Sequence, residues 1–206
     1  MSTVFLVHGG LWEPMDAERF WRTPGIVAAL EVRGVTVLAP DRPQQPGSWA
    51  EEVAILREHF PHEPVVVVGA SNGCSVAALL AIEYPELVEG LVLAWPATGG
   101  DPVTDERTRA GLTSRGASST VADELLAADT LRGVRDEDLA RLGIPVAVLP
   151  SVPENPSHQR KTVDALLGLI PGSRELPGCP EPPTPYFPPH KDELAATLAA
   201  SARRQS

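Results

Sequence analysis

Short apolar, β-branched runs alternate along the chain with longer stretches in which apolar residues recur every three or four positions. The first pattern predicts strands and the second predicts helices. One run, Val65–Val68, is apolar at every position, which is typical of a central strand covered on both faces. The predicted strands are Thr3–Val7, Val35–Leu38, Val65–Val68, Leu91–Ala94, Val146–Leu149 and Arg174–Leu176. This alternation predicts an α/β fold, a doubly wound and mainly parallel six-stranded sheet with helices on both faces.

Predicted helices fill most of the intervals between these strands. They are Trp21–Val32, Trp49–His59, Ser75–Glu83, Pro156–Ile170 and Asp192–Ala202. The interval Pro96–Gly143 is far longer than an ordinary connection between two strands. It contains two further helical pieces, near Val121–Leu126 and Asp136–Leu142. We therefore expect a single domain spanning residues 1–206, in which residues 96–143 form a small helical lid.

The segment Pro177–Pro189 also breaks the alternation, because it holds seven of the 22 prolines of the chain. Proline fixes the φ angle and lacks the N–H that both helices and strands require. The composition therefore predicts a stiff, extended surface loop between the last strand and the last helix.

Candidate chemistry is concentrated in the sequence Gly-Ala-Ser-Asn-Gly at residues 69–73, directly between the all-apolar strand and an Ala- and Leu-rich helix. A serine on so sharp a strand-to-helix turn is exposed at the carboxyl end of the sheet. It also lies over a helix N-terminus, which favours developing negative charge. The alternative is an ordinary Gly/Ser turn. We expect Ser71 to be a nucleophile.

A second glycine-containing element, His8-Gly9-Gly10, follows the first predicted strand. Glycines at this position allow the backbone to approach a substrate closely. The N–H of Gly10 or Leu11, together with the N–H of Asn72, would then form an oxyanion hole. The alternative is a simple turn that ends the strand.

With these two elements in this order, the chain resembles the α/β-hydrolase superfamily. The resemblance covers nearly the whole chain and implies a trimmed member that lacks two N-terminal strands and carries a short lid. It implies a serine hydrolase that cleaves an ester, thioester or lactone through an acyl-enzyme, with no metal and no organic cofactor. The segment Arg42–Gly47 departs from the Gly-His-Gly pattern usual in the family, which leaves the substrate open.

The same resemblance implies where the base and the acid lie. In the family the catalytic histidine follows the last strand and precedes the last helix, which is the place of His190, with His158 as the alternative. The acid follows the penultimate strand, which matches Glu154, with Asp101 as the alternative. Because the proline-rich segment leads directly into His190, we expect it to position the base.

Four aromatic residues lie toward the carboxyl ends of predicted strands, where open α/β sheets bind ligands. They are Trp12, Trp95, Tyr186 and Phe187. They are candidates for an apolar substrate pocket, although aromatic side chains more often belong to the core.

The composition of the chain argues against several classes of binding partner and of protein. The chain carries 27 acidic and 17 basic residues, a net charge of −10, whereas a nucleic-acid-binding protein is expected to carry a basic surface. The apolar runs are too short to cross a bilayer, and the first residues lack the pattern of a secretory signal. Cys74 and Cys179 are too few for a disulfide framework. We expect a cytoplasmic protein that acts on a small molecule, with anionic substrates somewhat disfavoured unless the local field differs.

Two other functions remain open on these residues, because a fold does not fix a function. One is a non-hydrolytic lyase or cyclase of a biosynthetic pathway, and the other is a ligand-binding pseudoenzyme.

Overall fold

Six parallel strands form the sheet of this protein, whose computed structural model describes residues 2–203. In chain order they are β1 (Thr3–Val7), β2 (Thr36–Leu38), β3 (Val65–Ala70), β4 (Val88–Ala94), β5 (Val146–Leu149) and β6 (Arg174–Glu175). Their spatial order is β2-β1-β3-β4-β5-β6, and every neighbouring pair is parallel. The prediction of a parallel six-stranded sheet is confirmed.

Residues 2–203 contain eight α-helices. They are α1 (Ile26–Glu31), α2 (Trp49–Arg57), α3 (Gly73–Glu83), α4 (Pro102–Ser114), α5 (Ser119–Leu126), α6 (Asp136–Leu139), α7 (Arg160–Leu169) and α8 (Lys191–Arg203). The side chains of β1 alternate between two cores, since Phe5 and Val7 pack toward α2 and α3, whereas Val4 and Leu6 pack toward α1 and α8. β3 is buried at every position because both of its faces are covered.

The direction of winding reverses at β1, which lies between β2 and β3 in the sheet. In open α/β sheets a crevice forms at the carboxyl ends of the strands where the winding reverses. The loop after β1 contains His8 and Gly10, and the loop after β3 contains Ser71. The topology thus brings the two glycine-containing elements to one crevice.

Three helices differ from the predictions in ways that affect the site. The predicted helix Trp21–Val32 is interrupted at Gly25, whose φ of 83° leaves a short π-helix before α1. The predicted helix Pro156–Ile170 begins only at Arg160, so the residues before it form a turn. α4 lies in the expected lid and was not predicted, because its surface is polar and lacks a continuous apolar stripe.

Residue 1 and residues 204–206 of the predicted domain lie outside the described residues. Within residues 2–203, no helix has both the length and the apolar character needed to cross a bilayer.

Candidate active site

Ser71 lies on the sharp turn between β3 and α3, with a φ of 53° that is unusual for a residue with a side chain. The flanking glycines are required by close packing. A Cβ on Gly69 would lie 2.5 Å from the carbonyl oxygen of Gly73, and one on Gly73 would lie 2.5 Å from the carbonyl oxygen of His8. The strand, the helix and the loop after β1 therefore approach each other closely only because these positions lack side chains.

His158 is the histidine that lies at Ser71, with its Nε2 2.8 Å from the Ser71 Oγ. It is in the turn between β5 and α7, where the backbones of Asn155 and His158 pair with each other. Thr98, which follows β4, holds both neighbours of the histidine. Its N–H donates to the Ser157 carbonyl (2.8 Å) and its hydroxyl accepts from the Gln159 N–H (2.9 Å). The imidazole is thus presented to Ser71 by a turn fixed on both sides.

Glu181 lies behind His158, with its Oε1 2.6 Å from the Nδ1 of the imidazole. The contact has the distance of an ion pair, although the Nδ1–H is not aligned for a linear hydrogen bond. The same oxygen accepts from the Ser151 hydroxyl (2.8 Å) and the Asn155 amide (3.0 Å). Side chains of His158 and Glu181 are only 13% and 12% exposed, so the pair is largely screened from water.

Two opposing influences set the pKa of Glu181. Burial is the largest and raises it, but the adjacent His158, the backbone N–H and the Ser151 hydroxyl together lower the pKa to about 2. At neutral pH the group is therefore a carboxylate, which is the form that stabilises an imidazolium next to it.

The loop that carries Glu181 is anchored two residues earlier, at Cys179. The buried Trp95 indole N–H donates to the Cys179 carbonyl over 2.8 Å, and the Val152 N–H donates to the same oxygen over 3.2 Å. Gly178 permits this approach, since a Cβ there would lie 2.5 Å from a methyl group of Val152. The loops after β5 and β6 are thereby joined directly behind the histidine.

His190, predicted as the base, is not brought to Ser71. It ends a short 3-10 helix, Pro188–His190, and leads into α8, which packs against α1 on one face of the sheet. The proline-rich segment instead carries Glu181, between Pro180 and Pro182. The predicted order of acid before histidine is therefore reversed at this site, because His158 lies on the loop after β5 and Glu181 on the loop after β6.

The two carboxylates predicted as the acid have other contacts. Glu154 is exposed and accepts from the Arg160 N–H over 2.7 Å at the start of α7. Asp101 caps α4 by accepting from the Thr104 N–H and is paired with Lys161 at 2.6 Å. The hydrogen bond from Lys161, with those from Thr104, holds the pKa of Asp101 well below its usual range. Neither carboxylate contacts His158.

Of the predicted oxyanion donors, Gly10 and Asn72 line the cavity over Ser71. Their N–H groups have no acceptor within residues 2–203 and are available to a substrate oxygen. The N–H of Leu11 is occupied, because it donates to the carboxylate of Glu13. Gly10 and Asn72 therefore remain the candidate oxyanion donors.

Each of these two residues is held by a buried arginine, Gly10 by Arg42 and Asn72 by Arg132. Arg42 donates to the carbonyls of His8 (2.9 Å) and Gly10 (2.7 Å) and is itself held by Glu52. Arg132 donates to the side-chain oxygen of Asn72 over 2.9 Å. Sequence reasoning missed both arginines, because nothing in their local sequence indicates a contact with residues so distant along the chain.

His8 is structural. Its Nε2 accepts from the Arg42 N–H (3.0 Å) and its Nδ1 lies 2.7 Å from the Gly9 carbonyl, an arrangement that suits a neutral imidazole. Burial, followed by the charge of Arg42, lowers its pKa from the ordinary 6.5 to about 4.

None of the four aromatic residues predicted to form a pocket lines the cavity over Ser71, which has a volume of about 450 Å³. Trp95 and Phe187 are core residues, Tyr186 is exposed, and Trp12 donates to the Pro46 carbonyl over 3.0 Å. Ten of the fourteen residues that line the cavity are polar, among them three arginines.

The described residues contain no group of three or more His, Cys, Asp or Glu side chains that could hold a metal ion. Cys74 and Cys179 are both buried, and burial raises the pKa of the Cys179 thiol to about 12. Neither thiol is in contact with the Ser71 hydroxyl.

Comparisons with known proteins agree with this architecture. A family model described as the alpha/beta hydrolase fold matches residues 3–131. No curated protein matches the chain. Three similar solved structures illustrate the likeness of fold.

A meta-cleavage product hydrolase from Pseudomonas fluorescens is 17% identical, with a TM-score of 0.70 over 100% of this chain and 92% of that one. An alpha/beta hydrolase from the sediment metagenome of the Mar Chica lagoon in Morocco is 19% identical, with a TM-score of 0.71 over 99% and 91%. The thioesterase domain of the curacin biosynthetic pathway is 15% identical, with a TM-score of 0.63 over 98% and 91%.

The family model covers more than half of the residues, and it includes both the loop after β1 and the serine turn. Together with the sheet order and the serine at the end of β3, this establishes that the chain belongs to the α/β-hydrolase fold family.

Proposed function

We propose that this protein is a serine hydrolase that cleaves an ester, thioester or lactone of a small organic substrate through an acyl-enzyme. The observation that carries the proposal is the 2.8 Å separation between the Ser71 Oγ and the His158 Nε2. A serine hydroxyl is a weak nucleophile at neutral pH until an adjacent base takes its proton, and this separation is within reach of such a transfer.

The proposed acylation uses three side chains. The Ser71 Oγ attacks the carbonyl carbon while His158 Nε2 accepts the hydroxyl proton. The carboxylate of Glu181 stabilises the resulting imidazolium through Nδ1, and the N–H groups of Gly10 and Asn72 receive the oxyanion. When the tetrahedral intermediate collapses, the bond to the leaving group breaks and His158 returns the proton to the leaving oxygen or sulfur.

Deacylation uses the same groups in the opposite sense. His158 takes a proton from a water molecule, whose oxygen attacks the acyl carbon of the ester on Ser71. Collapse of the second tetrahedral intermediate breaks the bond to Ser71 Oγ, and His158 returns the proton to that oxygen. The acid is released and the enzyme regains its starting state.

A fluorophosphonate probe followed by mass spectrometry of the labelled peptide tests the nucleophile. We expect one adduct, on Ser71, that is absent from Ser71→Ala. Absence of an adduct in the unmodified protein would remove the nucleophile from the proposal. An adduct without turnover of p-nitrophenyl or thioester substrates would favour a non-hydrolytic enzyme or a binding protein instead.

The identity of the base is tested by a matched pair of variants. We expect His158→Ala to lower kcat by about 10³-fold or more, since loss of the general base removes proton transfer from both steps. His190→Ala, the same substitution outside the cavity, is expected to keep kcat within about twofold of the parent. An active His158→Ala with an inactive His190→Ala would contradict the proposed mechanism.

A further inference from the structure

Helix α4 presents a polar face to the cavity over Ser71. Residues Thr104, Arg107, Thr108, Gly111 and Arg115 all line the cavity, and they recur every three or four positions along the helix and its C-terminal end. A third arginine of the helix, Arg109, points away and pairs with Asp123 of α5 at 2.7 Å. Arg107 and Arg115 thus face the cavity, whereas Arg109 contacts the neighbouring helix α5.

Three arginines line the cavity, whereas Glu13 is the one carboxylate among the lining residues. Arg107 donates to the Ser157 hydroxyl (3.1 Å) and Arg115 to the Gly111 carbonyl (2.9 Å), but within residues 2–203 neither is paired with a carboxylate. Gly111 leaves space for this arginine, since a Cβ there would lie 3.0 Å from the Arg115 Nη1.

Arg132 adds a third positive charge, and it is buried, with only 3% of its side chain exposed. It is paired with Asp105 at 2.8 Å, and its Nε has no hydrogen-bond partner in the part of the chain that the structure describes. The carboxylate that lines the cavity itself, Glu13, is occupied by the N–H of Leu11. The residues that line the cavity thus include three arginines and one carboxylate, although the chain as a whole carries a net charge of −10.

We infer that the substrate cleaved at Ser71 carries an anionic group, a carboxylate or a phosphate, that Arg107 and Arg115 bind at the mouth of the cavity. The inference rests on the proposed function and specifies its substrate class. Guanidinium groups bind both anions through paired N–H donors, and Arg107 lies beside Ser157, next to the histidine. The absence of the four predicted aromatic side chains from the cavity is consistent with a charged rather than an apolar substrate.

Pairs of esters that differ only in charge test this inference. The monoester of p-nitrophenol with adipic acid is compared with its uncharged amide analogue, and m-carboxyphenyl acetate with m-carbamoylphenyl acetate. The first pair places the charge on the acyl group and the second places it on the leaving group. We expect kcat/KM for the charged member to exceed that of the neutral one in at least one pair, and the ratio to fall as ionic strength rises.

The double variant Arg107→Ala/Arg115→Ala is expected to lower that charged-to-neutral ratio about tenfold, because two charge-assisted contacts are lost. Arg109→Ala removes an arginine from the same helix but outside the cavity, and is expected to leave the ratio unchanged. Equal kcat/KM within both pairs, or a ratio that the double variant does not lower, would overturn the inference.

A binding measurement separates this inference from the proposed function. In Ser71→Ala, which cannot form an acyl-enzyme, calorimetry with adipate and with inorganic phosphate reports the anion site alone. Binding of either anion that is lost in the triple variant with Arg107→Ala and Arg115→Ala supports the anion site, even if the unmodified protein hydrolyses no ester. Hydrolysis of neutral esters combined with binding of neither anion would retain the proposed function and refute the anion site.

Discussion

Glu181 contacts the imidazole of His158 at 2.6 Å although it follows that histidine along the chain. In the order implied by the resemblance, the carboxylate precedes the histidine. In this protein the histidine instead lies on the loop after β5, and the carboxylate lies on the loop after β6. Because these strands are adjacent and parallel, both loops emerge at the same edge of the sheet, and either loop can deliver either group.

Glu181→Gln is expected to lower kcat by about 10²–10⁴-fold with a smaller change in KM, because an amide cannot stabilise the imidazolium. Steady-state kinetics on a p-nitrophenyl ester measures the effect. Glu154→Gln is the matched control, since it makes the same change in the exposed carboxylate that the sequence favoured. A loss of kcat in Glu154→Gln with none in Glu181→Gln would contradict the assignment of the acid.

Trp95→Phe is expected to lower kcat several-fold while retaining the fold, because the ring remains buried but the hydrogen bond to the Cys179 carbonyl is lost. The loop that carries Glu181 would then be less well held. Trp21→Phe is the control, since Trp21 is equally buried in the same core and its indole N–H has no partner among the described residues.

The readout is kcat measured beside the melting temperature. If Trp95→Phe and Trp21→Phe lower kcat equally, the effect comes from the core and not from the loop. A larger loss of kcat in Trp95→Phe at similar melting temperatures supports a positioning role for Trp95.

Stability is expected to decrease as the pH falls from about 6.5 to about 4 because of His8. In the folded protein burial and Arg42 lower the pKa of His8 to about 4, whereas in the unfolded chain it is near 6.5. The unfolded state therefore takes up the proton first. The contribution is fully present above pH 6.5 and is lost toward pH 4, on the order of 3 kcal/mol.

Urea unfolding of the parent and of His8→Gln across this pH range measures the effect. Glutamine retains an acceptor for the Arg42 N–H but does not titrate, so its stability should depend less on pH in that window. His59→Asn, a change in an exposed histidine, should leave the slope unchanged. Parallel pH profiles for His8→Gln and the parent would show that His8 is not the source.

The sequence predicted the structure correctly where an element depends only on a short segment of the chain. β1 and β5 have the predicted bounds, and the serine turn lies between a strand and a helix as expected, because apolar period and glycine spacing are local signals. The positions of His158 and Glu181 depend on contacts between loops that are far apart along the chain. Their predicted positions came from the order of groups in a family, and that order does not hold for His158 and Glu181.

Two local features obscured the site. The predicted helix was begun at Pro156 although residues 157–160 are polar, so the turn that carries His158 was predicted as helix. The prolines around Glu181 predicted a stiff loop, but composition does not indicate where a loop returns. The sequence also did not indicate that arginines of α4 line the cavity. A polar pattern shows which residues share one side of a helix, but it does not show which part of the protein that side faces.

The loops after β5 and β6 are joined at Cys179, and this bears on the effect of substitutions around the cavity. The turn that carries His158 and the loop that carries Glu181 are held together at Cys179, whereas the guanidinium groups at the cavity mouth belong to α4. α4 also contacts the turn that carries His158, since Thr104 donates to the Pro156 carbonyl and Arg107 to the Ser157 hydroxyl. A substitution at either of these positions is therefore expected to change the cavity and the position of the histidine together, whereas Arg115 donates within its own helix.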